Sequence, residues 1–237
     1  MRKLSGKSKV ERILFGSLSD AYPENHPVEG IDQVPLLTRR SIKDIPTELI
    51  AFDDRKRAQS PGDAGLHFFR EDRKFLSVLL NPEAKLKGFA PYKIILTPDV
   101  TIGQGMPPWQ RVRNVVLGRA AGVIWEKRGL RVIPTLRWVD EADLTLVACG
   151  VPQRSVFAVS SYMARRNPAD YRIFQDGLRY LAKNLNPVAV IVYGSLDANL
   201  LLELSDQCDV FVYEHPMAKI RKSAKMASSN ENALIPL

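Results

Sequence analysis

Four acidic residues stand directly after apolar runs of the kind that form buried strands. They are Asp53, Asp54, Asp99 and Glu214. Because α/β proteins place their sites at the carboxyl ends of strands, these carboxylates are candidates for one common site. Carboxylates act as general acids and bases, so Asp53, Asp99 and Glu214 are the candidate catalytic residues. The adjacent pair Asp53 and Asp54 is also a candidate ligand set for a divalent cation.

Other residues at predicted strand ends are suited to binding a ligand. Arg137 and Trp138 would offer a guanidinium and a stacking face, and Ser160 would offer a hydroxyl. Tyr193 precedes Gly194, whose missing side chain lets a ligand approach the backbone, and the helix that follows favours an anion. These five residues are the candidate ligand-binding residues.

Each candidate also has a purely structural interpretation, which the sequence leaves open. An aspartate can cap a helix, a tryptophan can belong to the core, and a glycine can complete a tight turn. The sequence contains no P-loop, no dinucleotide-binding glycine pattern, no His-Glu-x-x-His and no Gly-x-Ser-x-Gly. It therefore predicts where a site lies, but it identifies no reaction and no cofactor other than the divalent cation considered above.

Near-continuous apolar runs predict strands that are buried on both faces, as in a parallel sheet. Helical segments between several of them are long enough for right-handed crossovers. We expect an α/β fold whose mainly parallel sheet is closed or partly closed as a barrel-like (β/α) domain. The predicted strands are 48–54, 66–69, 92–99, 131–138, 155–161, 188–194 and 209–215.

Helices are predicted where apolar residues recur at spacings of three and four, or where capping residues begin a segment. The longest begins after two prolines and ends before Gly129, which is typical of helix termini. The short run 144–148 instead predicts a strand, either paired with 156–159 as a hairpin or adjacent to it in a barrel. The predicted helices are 72–80, 108–128, 169–184 and 197–205, with a further short one at 9–18.

The excess positive charge lies at the two ends of the chain. The 237 residues carry a formal net charge of +8; residues 1–12 hold five basic residues against one acidic residue, and residues 216–226 hold four basic residues and no acidic one. Such segments bind phosphate backbones without sequence specificity, and they also serve simply to keep a protein in solution. We divide the chain into an irregular basic extension (1–44), an α/β domain (45–215) and a basic helical or disordered tail (216–237).

Composition favours an ordinary globular protein. Hydrophobic residues make up 45% and charged residues 25% of the chain. No apolar run is long enough for a membrane-spanning helix, and the first residues lack the apolar segment of a secretory signal. Cys149 and Cys208 lack the spacing of a zinc site, so we expect both to be reduced and structural. A cytoplasmic protein with no membrane partner is the expectation.

Several short motifs follow one another in a recognisable order between about residues 45 and 195. They are Phe52-Asp53-Asp54, Thr97-Pro98-Asp99, the helix from Pro107 to Gly129 with Asn114 and Trp125, the segment from Val132 to Trp138, Val159-Ser160-Ser161 and Val192-Tyr193-Gly194. Together they resemble a domain-of-unknown-function family of phage, prophage and plasmid proteins, especially of actinobacteria. The resemblance implies a mobile-element protein with an α/β domain, acting in the cytoplasm of a bacterial host. It implies no activity, and Glu214 lies outside its motifs.

Three functional hypotheses follow. The first is a polar pocket at the strand carboxyl ends that binds or processes a small polar or phosphorylated ligand, with catalysis left open. The second is a nucleic-acid-binding accessory protein of a mobile element, whose basic termini supply the affinity for DNA or RNA. The third is a phage factor that binds a host protein.

Overall fold

The computed structural model describes residues 25–215. The predicted helix at 9–18 and the basic segments 1–12 and 216–226 lie outside the described residues. Within 25–215, seven parallel strands form two sheets, and a two-stranded antiparallel hairpin precedes them. The strands are β1 (Val28–Glu29), β2 (Val34–Pro35), β3 (Glu48–Ala51), β4 (Ala64–His67), β5 (Ile94–Leu96), β6 (Val132–Ile133), β7 (Val156–Ser160), β8 (Ala189–Tyr193) and β9 (Asp209–Tyr213).

The two parallel sheets meet edge to edge. One has the order β3-β4-β5-β6 and the other has the order β7-β8-β9. A parallel bridge between Thr135 and Ala158 links them. Two hydrogen bonds support this bridge, from Leu136 N to Ala158 O and from Ala158 N to Pro134 O, each 2.8 Å long. Because all seven strands run in the same direction, their carboxyl ends lie together at one end of the combined sheet, which we call its carboxyl edge.

Pro134 ends β6 after only two residues. Proline has no N–H to donate to a sheet, so pairing with β5 cannot continue through it. Threonine hydroxyls replace the missing contacts: Thr135 N donates to Thr97 Oγ1 (2.8 Å), and Thr135 Oγ1 donates to Thr97 O (2.9 Å). The chain thereby leaves β5 and joins β7, as expected for a proline that interrupts a strand.

The helices at 72–80, 108–128, 169–184 and 197–205 were predicted correctly, with ends displaced by at most one residue. Gly129 follows the longest helix with φ +82°, in the left-handed region where glycine is favoured. No helix in the described part of the chain combines the length and hydrophobicity needed to cross a bilayer. The helices are α1 (Asp72–Leu80), α2 (Leu86–Phe89), α3 (Pro108–Lys127), α4 (Leu144–Ala148), α5 (Pro168–Leu185) and α6 (Ala198–Ser205).

The predicted strand at 144–148 was wrong, because this segment is helix α4. Its buried side chains, Leu144 and Val147, are three residues apart, which is a helical spacing. A five-residue apolar run does not distinguish a strand from a buried helix, and the preceding Asp140 caps a short 3-10 helix that leads into α4. The hairpin is therefore absent, and β7 pairs with β8 in parallel instead.

Helices cover one face of each sheet, and the opposite faces share one hydrophobic cluster. Leu66 and Trp125 belong to the helix-covered core of the first sheet, and Val190 and Leu178 belong to that of the second. The parallel α/β fold is thus confirmed. No backbone pairing joins β3 to β9 within residues 25–215, and barrel closure stays a prediction. The shared cluster contains Ile45, Ile94, Leu96, Ile133, Val156, Ala158, Ala189 and Ile191.

The amino-terminal hairpin packs against this domain. Val34 and Leu37 are buried. Leu37 N donates to Gly150 O (3.1 Å), and Gly150 N donates to Glu29 Oε2 (2.8 Å). Part of the predicted extension therefore contributes to the core.

Both cysteines are free thiols and are half-buried. Burial raises the pKa of Cys149 and raises that of Cys208 to about 11. Neither position favours the thiolate that a nucleophilic cysteine requires.

Candidate functional site

A cleft of about 680 Å³ opens at the carboxyl ends of the strands. We call it the carboxyl-edge cleft. Its volume is in the range of small-molecule sites. Its basic lining residues are Arg70, Lys74, Arg137 and Arg166, and its aromatic lining residues are Phe69, Trp138, Tyr162, Phe174 and Tyr193, with His215 beside them.

The structure brings five of the nine predicted site residues into the lining of this cleft. They are Asp99, Arg137, Trp138, Ser160 and Tyr193. The other four, Asp53, Asp54, Gly194 and Glu214, also follow strands, but they do not line it. A position at a strand end thus placed these residues near one edge without deciding which of them face the cavity.

Asp53 and Asp54 form ion pairs with basic residues of the cleft. Arg70 Nε donates to Asp53 Oδ1 (3.0 Å), Arg70 donates a second bond to Asp54 Oδ2 (3.3 Å), and Lys74 Nζ donates to Asp53 Oδ2 (3.0 Å). Burial alone would raise the pKa of Asp53, but the hydrogen bonds from Lys74 and Arg70 outweigh it, and the pKa lies below its usual value. Asp53 and Asp54 together therefore hold the Arg70 guanidinium in place.

No group of three or more potential metal ligands occurs among residues 25–215. A divalent cation at Asp53 and Asp54 would have to displace Arg70 and Lys74, whose charges already balance these carboxylates. The metal role of the two aspartates stays a prediction.

Asp99 and Arg137 form a second ion pair, at the wall of the cleft. Arg137 Nη1 donates to Asp99 Oδ2 (2.9 Å). Burial raises the pKa of Asp99, although the Arg137 charge acts in the opposite direction. A buried carboxylate with a raised pKa beside a cavity has the properties of a general acid or base.

Trp138 is anchored more firmly than a free stacking platform would be. Its Nε1 donates to Ile173 O (3.1 Å), and its ring stacks on Phe174 with centroids 5.4 Å apart. Gly177 of α5 lies against the indole edge, where a β-carbon would be only 2.8 Å from Trp138 Cδ1. Only 9% of Trp138 is exposed, so it serves both the core and the cleft wall.

Ser160 and Tyr193 are neighbours in the β7–β8 pairing register. Ser160 lines the cleft. Its hydroxyl neither donates a hydrogen bond to, nor accepts one from, any protein group within residues 25–215. Burial raises the pKa of Tyr193, while Arg70 acts in the opposite direction. Ser160 therefore keeps its hydrogen-bonding capacity for a ligand.

Gly194 completes a turn that is closed by Ser161. Its φ of +126° favours glycine, and a β-carbon there would lie 3.0 Å from Tyr162 N and closer still to Ser161 Oγ. Ser161 Oγ donates to Ser195 O (2.7 Å) and accepts from Ser195 N (2.9 Å). Gly194 N donates to Tyr213 O (2.9 Å), so its N–H already has a protein partner.

The sequence suggests His215 as an acid/base partner of Glu214, but sequence reasoning missed other residues of the cleft, among them Arg70, Tyr162 and Arg166. Arg70 follows the short strand β4 and carried the same strand-end signal as the predicted residues. Tyr162 lies two residues beyond β7, and Arg166 ends a 3-10 helix, Ala164–Arg166, that no periodicity indicated. His215 stacks on Tyr162 with centroids 4.0 Å apart and an interplanar angle of 10°.

His67 lies buried beside the cleft aromatics. Its ring packs on Tyr193 (centroids 4.5 Å apart), and its Nδ1 accepts from Phe69 N (3.2 Å). Burial, and next the Arg70 charge, lower its pKa to about 3. The folded protein therefore holds His67 in its neutral form.

We expect this histidine to make folding sensitive to mild acid. Between about pH 6.5 and pH 3 the unfolded chain binds a proton that folded His67 does not, so the free energy of unfolding falls as the pH falls. From pH 6.5 to pH 5 the loss should be about 1.5 kcal/mol, measured by urea unfolding at both pH values. His67→Asn keeps an acceptor for Phe69 N, and it should remove most of this dependence; an equally steep loss in the variant would contradict the assignment.

The comparisons with known proteins agree with the motif order. A family described as domain of unknown function (DUF4417) matches residues 26–213. The Gene 1 protein of Mycobacterium phage L5 is 32% identical over 154 residues, which cover 64% of this chain and 67% of that protein. The Gene 1 protein of Mycobacterium phage D29 is 32% identical over 155 residues, covering 64% of this chain and 57% of that protein.

The matched segment thus spans little more than half of the D29 protein. No solved structure matches the chain. The predicted resemblance to a phage family is confirmed, and the family match includes the strands and helices that surround the carboxyl-edge cleft. The chain therefore belongs to the DUF4417 family, a domain family of unknown function with relatives in mycobacteriophages.

Proposed function

We propose that the chain binds a small phosphorylated ligand in the carboxyl-edge cleft. The observation that carries this proposal is the convergence of Arg70, Lys74, Arg137 and Arg166 on one cavity at the strand carboxyl ends. Guanidinium groups match the geometry of phosphate oxygens and bind them through paired, charge-assisted hydrogen bonds. The cavity has the volume of a site for one small molecule rather than for a polymer.

Arg166 is the side chain with most capacity left for a ligand. It forms no ion pair with a carboxylate in the part of the chain that the structure describes; its guanidinium lies 5.2 Å from the Tyr162 ring centre and donates to Tyr162 Oη (3.3 Å). These contacts orient the guanidinium without neutralising its charge. An incoming phosphate would supply the missing negative charge.

Arg70 and Arg137 have a different role in the proposal. Carboxylates hold both, so their positions are set before a ligand arrives, and each leaves part of its guanidinium exposed. Asp53 and Asp54 then act as positioning residues for Arg70. Asp99 is the candidate acid or base if the ligand is processed, because it is the buried carboxylate that lines the cavity.

The shape of the sheet supports the same site. The shared cluster on the inner faces and the Tyr213 hydroxyl that donates to Pro46 O (2.5 Å) bring β9 close to the segment before β3. We infer a barrel-like arrangement in which the carboxyl-edge cleft is the open end. The protein would act in the cytoplasm of the bacterial host, where phosphorylated metabolites are abundant.

The proposal is tested by calorimetric titration of the full chain with pyrophosphate and with ribose 5-phosphate. Arg166→Gln should weaken binding about tenfold, the loss of one charge-assisted contact. The control Arg154→Gln removes the same charge from an exposed position before the amino end of β7, at the opposite edge of the sheet, and should change affinity by less than about twofold.

Two results would contradict the proposal. One is the absence of binding of either compound by the parent protein. The other is an equal loss in the two variants, which would indicate general charge attraction rather than a site. Binding of nucleic acid without binding of small phosphates would favour the second hypothesis, in which the basic segments 1–12 and 216–226 supply the affinity.

A further inference from the structure

The carboxyl-edge cleft is unusually aromatic for a site that would bind only phosphate. Two ring pairs line it: Tyr162 with His215, stacked at 4.0 Å, and Phe69 with Tyr193, stacked at 5.1 Å. Inorganic phosphate gains nothing from flat apolar faces, and a sugar phosphate presents only the small apolar surface of its C–H groups. A ligand with a planar ring gains stacking contact with them.

The Tyr162–His215 pair is the better exposed of the two stacks. Tyr162 and His215 are both half-buried, whereas Tyr193 is 2% exposed and packs on His67 and Phe69. The Arg166 guanidinium lies over the Tyr162 ring, 5.2 Å from its centre, so a cation and the stacked ring pair stand together at the wall of the cleft. This combination suits a ligand that joins a heteroaromatic ring to an anionic group.

Polar groups with free hydrogen-bonding capacity line the same cleft. The Ser160 hydroxyl and the Gln104 amide line the cleft, and neither side chain has a protein hydrogen bond among the described residues. Nucleobases present both donors and acceptors along their edges, which a hydroxyl and an amide can pair with. Purely hydrocarbon rings would leave both groups without partners.

We propose that the ligand of the carboxyl-edge cleft is a nucleoside phosphate, with its base against the Tyr162–His215 stack and its phosphate among the arginines. This inference rests on the proposed phosphate-binding function and specifies its ligand class. A mononucleotide is favoured over a polynucleotide because the cavity of about 680 Å³ matches one small molecule.

The test compares ribose 5-phosphate with the four ribonucleoside monophosphates AMP, GMP, CMP and UMP, titrated into the full chain by calorimetry. At least one nucleotide should bind about tenfold or more tighter than ribose 5-phosphate, as base stacking on an aromatic side chain provides. Tyr162→Leu should bring the ratio of nucleotide affinity to ribose 5-phosphate affinity close to one, even though loss of the Tyr162 contact to Arg166 weakens the binding of both ligands. Tyr162→Phe keeps the ring and should keep the preference.

Tyr180→Leu is the matched control, because Tyr180 is an exposed tyrosine of α5 outside the cleft lining. It should not alter the preference. If ribose 5-phosphate and all four nucleotides bind equally well, the nucleotide inference fails while phosphate binding stands. If no phosphate compound binds, both proposals fail. Tight binding of single-stranded oligonucleotides with no binding of monophosphates would overturn the inference in favour of a polymer partner.

Discussion

Arg119→Met should lower the free energy of unfolding by about 3 kcal/mol, a large effect for a single substitution. Arg119 of α3 is 2% exposed, and it pairs with backbone carbonyls instead of a carboxylate. Its guanidinium donates to Thr135 O (3.0 Å), to Val147 O (2.9 Å) and, through Nε, to Cys149 O (3.3 Å). One side chain thus ties the bridge between the sheets to helix α4 and to the turn that follows it.

Two opposing terms decide the size of this effect. Burial of the guanidinium without a counter-charge is costly, and it lowers the pKa of Arg119 to about 10. Methionine removes that cost, but it leaves three carbonyls without this donor, and each buried acceptor that loses its partner costs about 1–3 kcal/mol. The lost hydrogen bonds outweigh the relief, so the net change is destabilising.

Chemical denaturation followed by circular dichroism measures the change. Arg113→Met is the control, because Arg113 lies on the same helix but is exposed, and its substitution should cost less than about 0.5 kcal/mol. Arg119→Lys retains the charge without the planar fork of donors, so its stability should lie between those of the parent and Arg119→Met. An Arg119→Met variant as stable as the parent would show that the guanidinium does not hold these segments together.

Arg119 also shows which structural features can be predicted from the sequence and which cannot. Its spacing with Val115, Val116 and Val123 places it on the buried face of the predicted helix, and that position is correct. Its partners could not be predicted, because two of them, Val147 and Cys149, lie in helix α4 and directly after it, and the sequence predicted a strand at 144–148. Helix periodicity determines which face is buried, whereas hydrogen bonds across the fold depend on tertiary contacts.

The same distinction explains the carboxyl-edge cleft. Residues at the ends of long apolar runs could be placed at one edge, because parallel strands end together. Whether a carboxylate at that edge faces a ligand or an arginine depends on side chains distant in sequence. Asp53 meets Arg70 and Lys74, which are 17 and 21 residues further along the chain, and no local pattern predicts these pairs.

Gly177→Ala should destabilise the protein by about 2 kcal/mol, although alanine is the better helix former by about 1 kcal/mol. Gly177 lies inside α5, and its missing side chain makes room for Trp138. A β-carbon would stand 2.5 Å from Trp138 Cε2 and 2.8 Å from Cδ1, and closer still to Nε1. The indole cannot move aside easily, since Nε1 is bonded to Ile173 O and the ring stacks on Phe174.

Denaturation of three variants separates the clash from the helix propensity. Gly88→Ala replaces a glycine of α2 whose nearest neighbour would be Arg55 Nε at an ordinary 3.4 Å, so it should be neutral or stabilising by up to about 1 kcal/mol. In a Trp138→Phe background the ring is smaller, and Gly177→Ala should then cost less than about 1 kcal/mol. If the cost were the same with tryptophan and with phenylalanine at 138, the indole would not be the obstacle, and the wall of the carboxyl-edge cleft would not depend on this glycine.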